Sequence, residues 1–282
     1  MLLREAIDYF QYYIRTETKP GTVSFYQYYL RKLKEELGDL DCDKITSHNL
    51  VKYLNDRKIE NPSVSNATLN KHIITFKRVL KRVCNIKFDY SKFKEQRKNI
   101  VTVSQKSYEM IFNYYQKNMS NKYNFRNYLF LKILLDTGLR LSEIANIRIE
   151  NIDIDSGLIL VTVTKTDVDR FVVLTEPVRK LLYKFIITQP LENYLFTDFK
   201  EDKPLSTSSI ECFIYRLRKK LGIKNSISPH KWRHSFATNF NKKGGNIETL
   251  RILLGHSNIK TTQRYLHLDK DDILKEYRRI MG

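Results

Sequence analysis

No stretch of this 282-residue chain is apolar for long enough to cross a membrane. The most apolar run, Leu129 to Leu135, is broken by Lys132 and falls far short of the ~20 residues a span needs. The first residues include Glu5 and Asp8 and hold no unbroken apolar core, so they do not read as a secretory signal. Cysteine is scarce. Cys42, Cys84 and Cys212 stand far apart with no paired spacing, which excludes a disulfide framework or a cysteine-based zinc site and suits a reducing cytoplasm. Each of the three reads as a small buried hydrophobe. A Gly-x-x-x-x-Gly-Lys phosphate loop is missing, so ATP is not implied, and there is neither an internal repeat nor a low-complexity tract. Acid is also short. The 31 Asp and Glu face 50 Lys and Arg, a formal charge of +19. A surplus that large points to a polyanionic partner, nucleic acid ahead of an anionic membrane surface.

The length has room for two domains of ~100–200 residues each, and the basic residues are spread over both halves. The first half is helical by its spacing. Leu3, Ile7, Phe10 and Ile14 recur on one helix face, and Tyr26, Leu30, Leu33 and Leu37 repeat the pattern after Pro20-Gly21 and stop at Gly38. Ser47 is placed to cap a shorter helix through Leu50 and Leu54. Ser65 caps a fourth, with Leu69, Ile73, Phe76, Leu80 and Val83 as its apolar stripe and Lys71, Arg78 and Arg82 on the opposite face. Residues 86–104 lose the helical period and are rich in charge, as an exposed linker would be. The expected division is residues 1–90, a linker at 91–104, and a second domain from 105 to 282.

That second domain is expected to be mainly helical with a small β insertion. Tyr128 to Leu135 predicts a buried helix capped by Gly138, and Ser142 a new helix carrying Ile144 and Ile147. Between 158 and 174 the period changes to two: Ile159, Val161 and Val163 alternate, and Arg170 to Leu174 return after Thr166-Asp167. From Thr207 the helical period resumes with Ile210, Phe213, Ile214, Leu217 and Leu221, and Arg216, Arg218, Lys219 and Lys220 gather near its end.

Four short segments hold the chemistry. Thr137-Gly138-Leu139-Arg140-Leu141-Ser142-Glu143 puts an arginine between a helix stop and a helix start. Lys165 sits at the tip of the expected hairpin. His230-Lys231-Trp232-Arg233-His234 follows Pro229, which suits a first helical turn; there Trp232, Phe236 and Phe240 form the anchoring face. Leu254-Gly255-His256 precedes Thr261-Thr262-Gln263-Arg264-Tyr265. Singly, each residue has an ordinary explanation as a surface charge or a structural histidine. Together, two arginines, two histidines, a lysine and a tyrosine suit a phosphodiester. Guanidinium forks bind two phosphate oxygens and keep their charge. A phenol, with a reference pKa of about 10, needs such a cationic surround to attack as phenolate.

These segments resemble the tyrosine recombinases, or phage integrases. Thr137 to Glu143 is similar to the family's first arginine box, His230-x-x-Arg233-His234 to its second, and Leu254-Gly255-His256 with Tyr265 nine residues on to its third. The likeness is strong from about 105 to 282 and looser over 1–90, whose four-helix pattern resembles the family's core-binding domain. The hairpin departs mildly, reading Val163-Thr164-Lys165-Thr166 where relatives often have glycine beside the lysine, and Trp232 stands where leucine is common. The resemblance implies a metal-free, cofactor-free transesterification on double-stranded DNA. Tyr265 would attack the scissile phosphate, leaving a 3′-phosphotyrosyl bond and a free 5′-hydroxyl. Arg140 and Arg233 would hold the non-bridging oxygens, and Lys165 would protonate the departing oxygen. His230 would act as acid or base, His256 would hydrogen-bond the phosphate, and Glu143 would orient the set.

Two other readings share these features. A type IB topoisomerase relaxes DNA with a closely similar set, and a DNA-binding repressor could keep the fold without catalysis. The start of the chain directly on core-binding helices fits a simple recombinase, Xer-like or a small mobile-element integrase. At the other end, Asp271 or Asp272 can cap a helix with Ile273, Leu274, Tyr277, Ile280 and Met281 on one face. Such a short helix needs a docking surface, and in the resembled family it packs on a neighbouring protomer, linking four subunits on two DNA sites.

Overall fold

The computed structural model describes residues 1–18, 20–95, 99–162 and 169–256. The chain divides into two compact units, Met1–Lys98 and Asn99–Gly282.

The first unit is built from α1 (Leu3–Glu17), α2 (Pro20–Leu37), α3 (Ser47–Glu60) and α4 (Asn66–Val83). The apolar stripes legible in the sequence meet in one core, where Leu3, Ile7, Leu30, Leu33, Leu50, Leu69, Ile73, Phe76 and Leu80 are wholly buried. Ser65 caps α4, its hydroxyl accepting from the Thr68 N–H at 3.2 Å. The cap of α3 is Thr46 rather than Ser47: the Asn49 carboxamide oxygen accepts from the Thr46 N–H at 2.9 Å and from its hydroxyl at 2.8 Å.

The non-helical stretch after α4 begins as expected, but it is not a free linker. Ile86, Phe88, Tyr90 and Phe93 pack against the core of the first unit. The buried Asn70 side chain pairs with Phe93 in both directions, accepting from its N–H at 2.8 Å and donating to its carbonyl at 3.0 Å. A polar side chain on an apolar helix face thus pins a strap of backbone that hydrophobic periodicity does not register.

The second unit is mostly helical with a three-stranded antiparallel sheet of order β1–β2–β3. Its elements are α5 (Gln105–Gln116), α6 (Lys122–Thr137), α7 (Leu141–Ala145), β1 (Ile152–Asp153), β2 (Leu158–Val161), β3 (Arg170–Val173), α8 (Glu176–Thr188), α9 (Thr207–Lys220), α10 (Pro229–Lys242) and α11 (Ile247–Leu254). Helix α6 is the central post, packed by α5, α8, α10 and β3. Leu129, Phe130, Leu131, Ile133 and Leu134 have no exposed surface. Lys132, which interrupts that run, lies 3.9 Å over the Phe112 ring, and burial pulls its ammonium below the ordinary lysine range.

The register pairs Ile159 with Val172 and Val161 with Arg170. Alternation then sends Ile159, Val161, Arg170 and Val172 into the interior. Strand β1 and helix α8 were not anticipated from the sequence. Nor is Ser142 the cap of α7: Arg140 occupies that position, with its N–H satisfied by the Glu143 carboxylate at 2.7 Å, and Ile147 lies beyond the helix end. Of the cysteines, Cys42 is buried, Cys84 half-buried and Cys212 exposed, so the expectation of buried hydrophobes fails at Cys212. The expected C-terminal helix at 271–282 lies outside the described residues. Among those described, no helix is long and apolar enough to cross a membrane.

Candidate active site

Two left-handed glycines shape this site. Gly138 closes α6 with φ of 63°, and Gly255 closes α11 with φ of 61°. Each also permits a close approach. A Cβ on Gly138 would lie 2.3 Å from Cδ1 of Phe236, and one on Gly255 would lie 2.7 Å from Nη1 of Arg170. A side chain at either position would have to displace that neighbour, so glycine lets the end of α6 press on α10 and the end of α11 on β3. Helix α10 is fixed from its other side by Trp232, which is wholly buried and donates its indole N–H to the Ile227 carbonyl at 3.0 Å.

This packing brings together three of the four segments singled out in the sequence. Arg233 is buried on α10, donating from Nη1 to the Gly138 carbonyl and from Nη2 to the Leu254 carbonyl, both at 2.7 Å. Its Nη2 also lies 3.0 Å from Nε2 of His256. Arg140 donates from Nη2 to the Gly255 carbonyl at 2.6 Å and from Nη1 to Glu143 at 2.8 Å. The two guanidinium groups therefore grip consecutive carbonyls of one turn. They differ in access: Arg233 is 5% exposed, whereas the Arg140 side chain is 33% exposed. The His256 carbonyl accepts from Arg251 at 2.8 Å. His230 is exposed near the start of α10, its ring stacked on His234 at 6.2 Å. Those two histidines are four residues apart, a spacing some metal sites use, yet no group of three or more potential ligands gathers among the described residues. Lys165 and Tyr265 lie outside the described residues.

One participant was missed. Arg170, 4% exposed, donates from Nη1 and Nη2 to the two Glu143 carboxylate oxygens at 3.1 and 2.8 Å, and from Nε to the Leu253 carbonyl at 2.9 Å. Its signal was the strand alternation itself, which puts Arg170 on the same face as Val172 and Leu174. Burial alone would raise the Glu143 carboxyl, but hydrogen bonds from Arg170 and from the Arg140 backbone and side chain outweigh it and hold the group below the usual glutamate range. Removing one member of such a buried pair costs about 3–5 kcal/mol. The result is a cationic corner around one buried carboxylate, suited to an oxyanion brought against Arg140.

In the first unit, Lys71, Arg78 and Arg82 are exposed on α4 as expected, but each is seated on an aromatic ring. The Lys71 ammonium is 5.7 Å from the Phe25 centroid, and the Arg82 guanidinium is 4.3 Å from that of Tyr13. Arg78 donates to the Tyr26 hydroxyl and lies over that ring. The stripe is therefore partly ordered by α1 and α2.

The model of the phage integrase family matches residues 101–272, more than half of the chain. The tyrosine recombinase XerA of Saccharolobus solfataricus is 31% identical over 274 residues, covering 93% of this chain and 87% of that protein. The chain belongs to the phage integrase family. Its relatives within that tyrosine recombinase family include XerD of Staphylococcus aureus, 35% identical over 56% of this chain and 55% of the relative. A probable integrase/recombinase of Acholeplasma phage L2 is 33% identical over 58% of this chain and 57% of its own. Among solved structures, the Tn1549 transposon integrase in complex with circular intermediate DNA superposes with a TM-score of 0.83 at 21% identity, over 99% of this chain and 100% of that one. A lambda integrase dimer bound to a core site gives 0.75 at 17% identity, over 96% and 80%. At those identities the superpositions speak to the fold, a tyrosine recombinase fold. The catalytic residues expected from the sequence, Arg140 through Tyr265, fall inside the matched family segment, whereas Lys71, Arg78 and Arg82 lie before it.

Proposed function

We propose that this protein is a site-specific DNA recombinase that cleaves and rejoins double-stranded DNA through a 3′-phosphotyrosyl intermediate on Tyr265. The observation that carries the proposal is the convergence of Arg140 and Arg233 on the turn at Leu254-Gly255-His256. That turn leads, nine residues on, to Tyr265. In the proposed step the Tyr265 oxygen bonds to the scissile phosphorus while the bond to the 5′-oxygen breaks. The phenol proton passes to a base such as His230, and the departing oxygen takes a proton from Lys165. Arg140 and Arg233 hold the non-bridging oxygens, where charge builds up, which is usually the largest single contribution to catalysis. His256 donates a further hydrogen bond, and Glu143 holds Arg140 in place. Bond energy is retained in the phosphotyrosine, so neither metal nor cofactor is required.

The second unit carries this chemistry, and the first serves as a core DNA-binding domain. Four copies act together on two paired sites. Recovering and sequencing the DNA covalently attached to the chain in cells identifies the site. Paired copies of it should then yield exchanged-strand products. Relaxation of supercoils without exchange would favour a topoisomerase, and binding without any adduct a silent repressor.

Lys71 and Arg78 are assigned to phosphate contact. Replacing both by alanine should lower the slope of log affinity against log salt by about one to two units; an unchanged slope would assign this face to solvent. The segment 271–282 is assigned to assembly between copies. Deleting it should leave half-site binding by the monomer intact but abolish cooperative assembly on paired sites, and normal assembly by the truncated chain would contradict that role.

A further inference from the structure

We propose that Arg170 is a positioning residue for the cleavage reaction: from β3 it clamps Glu143 and the Leu253 carbonyl, and so aims the Arg140 guanidinium at the scissile phosphate. The inference rests on the recombinase function proposed above and adds a residue outside the set that the sequence motifs supply.

Three observations carry it. Arg170 and Arg140 share one carboxylate: Glu143 Oε1 accepts from Arg140 Nη1 at 2.8 Å and from Arg170 Nη1 at 3.1 Å, while Oε2 accepts from the Arg140 N–H at 2.7 Å and from Arg170 Nη2 at 2.8 Å. The Glu143 carboxylate therefore has its orientation set from β3 and transmits it to Arg140, both through the backbone at the start of α7 and through the side chain. Arg170 also holds the turn that both proposed phosphate-binding arginines grip. Its Nε bonds the Leu253 carbonyl at 2.9 Å, and its guanidinium lies so close to Gly255 that a Cβ there would meet it at 2.7 Å and have to displace it. Lastly, Arg170 is 4% exposed and Arg140 33% exposed. All three guanidinium nitrogens of Arg170 are engaged by Glu143 and the Leu253 carbonyl, while Arg140 keeps a third of its side chain open. A division of labour follows, in which one guanidinium sets the geometry and the other meets the substrate.

Among the described residues, the charged and titratable groups around this network include Arg140 at the start of α7, Arg170 on β3, and Arg233, His256 and the Arg251–Glu248 pair across the 253–256 turn. Arg170 supplies the leading interaction that keeps the Glu143 carboxyl low against burial. Without it, Glu143 takes up a proton at higher pH, releases Arg140, and cleavage fails earlier on the acid side.

The test is single-turnover cleavage of a nicked suicide substrate at saturating DNA, by Arg170→Met, Arg170→Lys and the unaltered chain. Arg170→Met should cleave about 100-fold more slowly, the scale of a small misplacement at a reacting centre. Its half-site affinity should stay within about three-fold, and the acid limb of its pH–rate profile should move upward. Arg170→Lys keeps the charge but loses the fork. It should recover part of the rate, with the acid limb near its original position. A folded Arg170→Met that cleaves normally, or slowly with an unmoved acid limb, would overturn the positioning role alone. Should Arg170→Met fail to fold, Arg170→Lys decides: about a tenfold loss supports the role, and an unchanged rate overturns it. If the unaltered chain forms no adduct on its own site, the recombinase function falls and this role with it.

Discussion

Tyr265→Phe is expected to form no covalent adduct with DNA while binding its half-site within a few-fold of the unaltered chain. The two effects separate because they have different physical origins. Affinity for DNA arises mainly from neutralising phosphates with lysine and arginine and releasing counterions, and the chain carries 50 such residues against 31 acids. Loss of one phenolic oxygen barely changes that balance. Covalent chemistry, in contrast, depends wholly on a nucleophile, and phenylalanine offers none. The check is denaturing gel electrophoresis of protein incubated with a nicked suicide substrate, alongside a binding titration. An adduct from Tyr265→Phe would reassign the nucleophile.

The second large effect is expected from the paired arginines, with a difference between them that follows from burial. Arg140→Ala and Arg233→Ala should each slow cleavage by about 10²–10³-fold, as removal of one oxyanion-stabilising donor does. Only Arg233→Ala should also destabilise the fold markedly. Its guanidinium is buried and satisfies the Gly138 and Leu254 carbonyls, and each buried group left without a partner costs about 1–3 kcal/mol. Arg140 is a third exposed, and water can replace part of what it loses. Denaturant unfolding followed by the fluorescence of Trp232, the chain's single tryptophan and wholly buried in the second unit, reads this difference directly. Near-normal cleavage by either variant would remove that arginine from the phosphate clamp.

Much of this arrangement is legible in the amino-acid order. Leu3, Ile7, Phe10 and Ile14 announce α1 because burying one face of a helix demands that spacing, and Gly138 announces the end of α6 because a left-handed residue is wanted there. The convergence of Arg140, Arg233 and His256 was accessible through motif resemblance, since spacing alone cannot bring residues more than a hundred positions apart into contact. The omissions have a common cause. Arginine is a poor helix cap, and Arg140 occupies that position only because Glu143 reaches back to its N–H. Arg170 looks like a strand-end surface charge until the partner register turns it inward opposite Val161. Asn70 looks like a polar interruption in an apolar helix until Phe93 returns to pair with it. In each case the deciding partner comes from tertiary structure or from a side chain acting outside its ordinary role, and local pattern does not encode it.

In the proposed reaction Tyr265 becomes joined to the 3′ end of a cleaved DNA strand. The most direct test is mass spectrometry of the trapped complex after digestion of both protein and DNA. The expected product is a nucleotide esterified through its 3′-phosphate to the peptide containing Tyr265. A phosphate linked to any other residue, or attachment through a 5′-phosphate, would contradict that reaction.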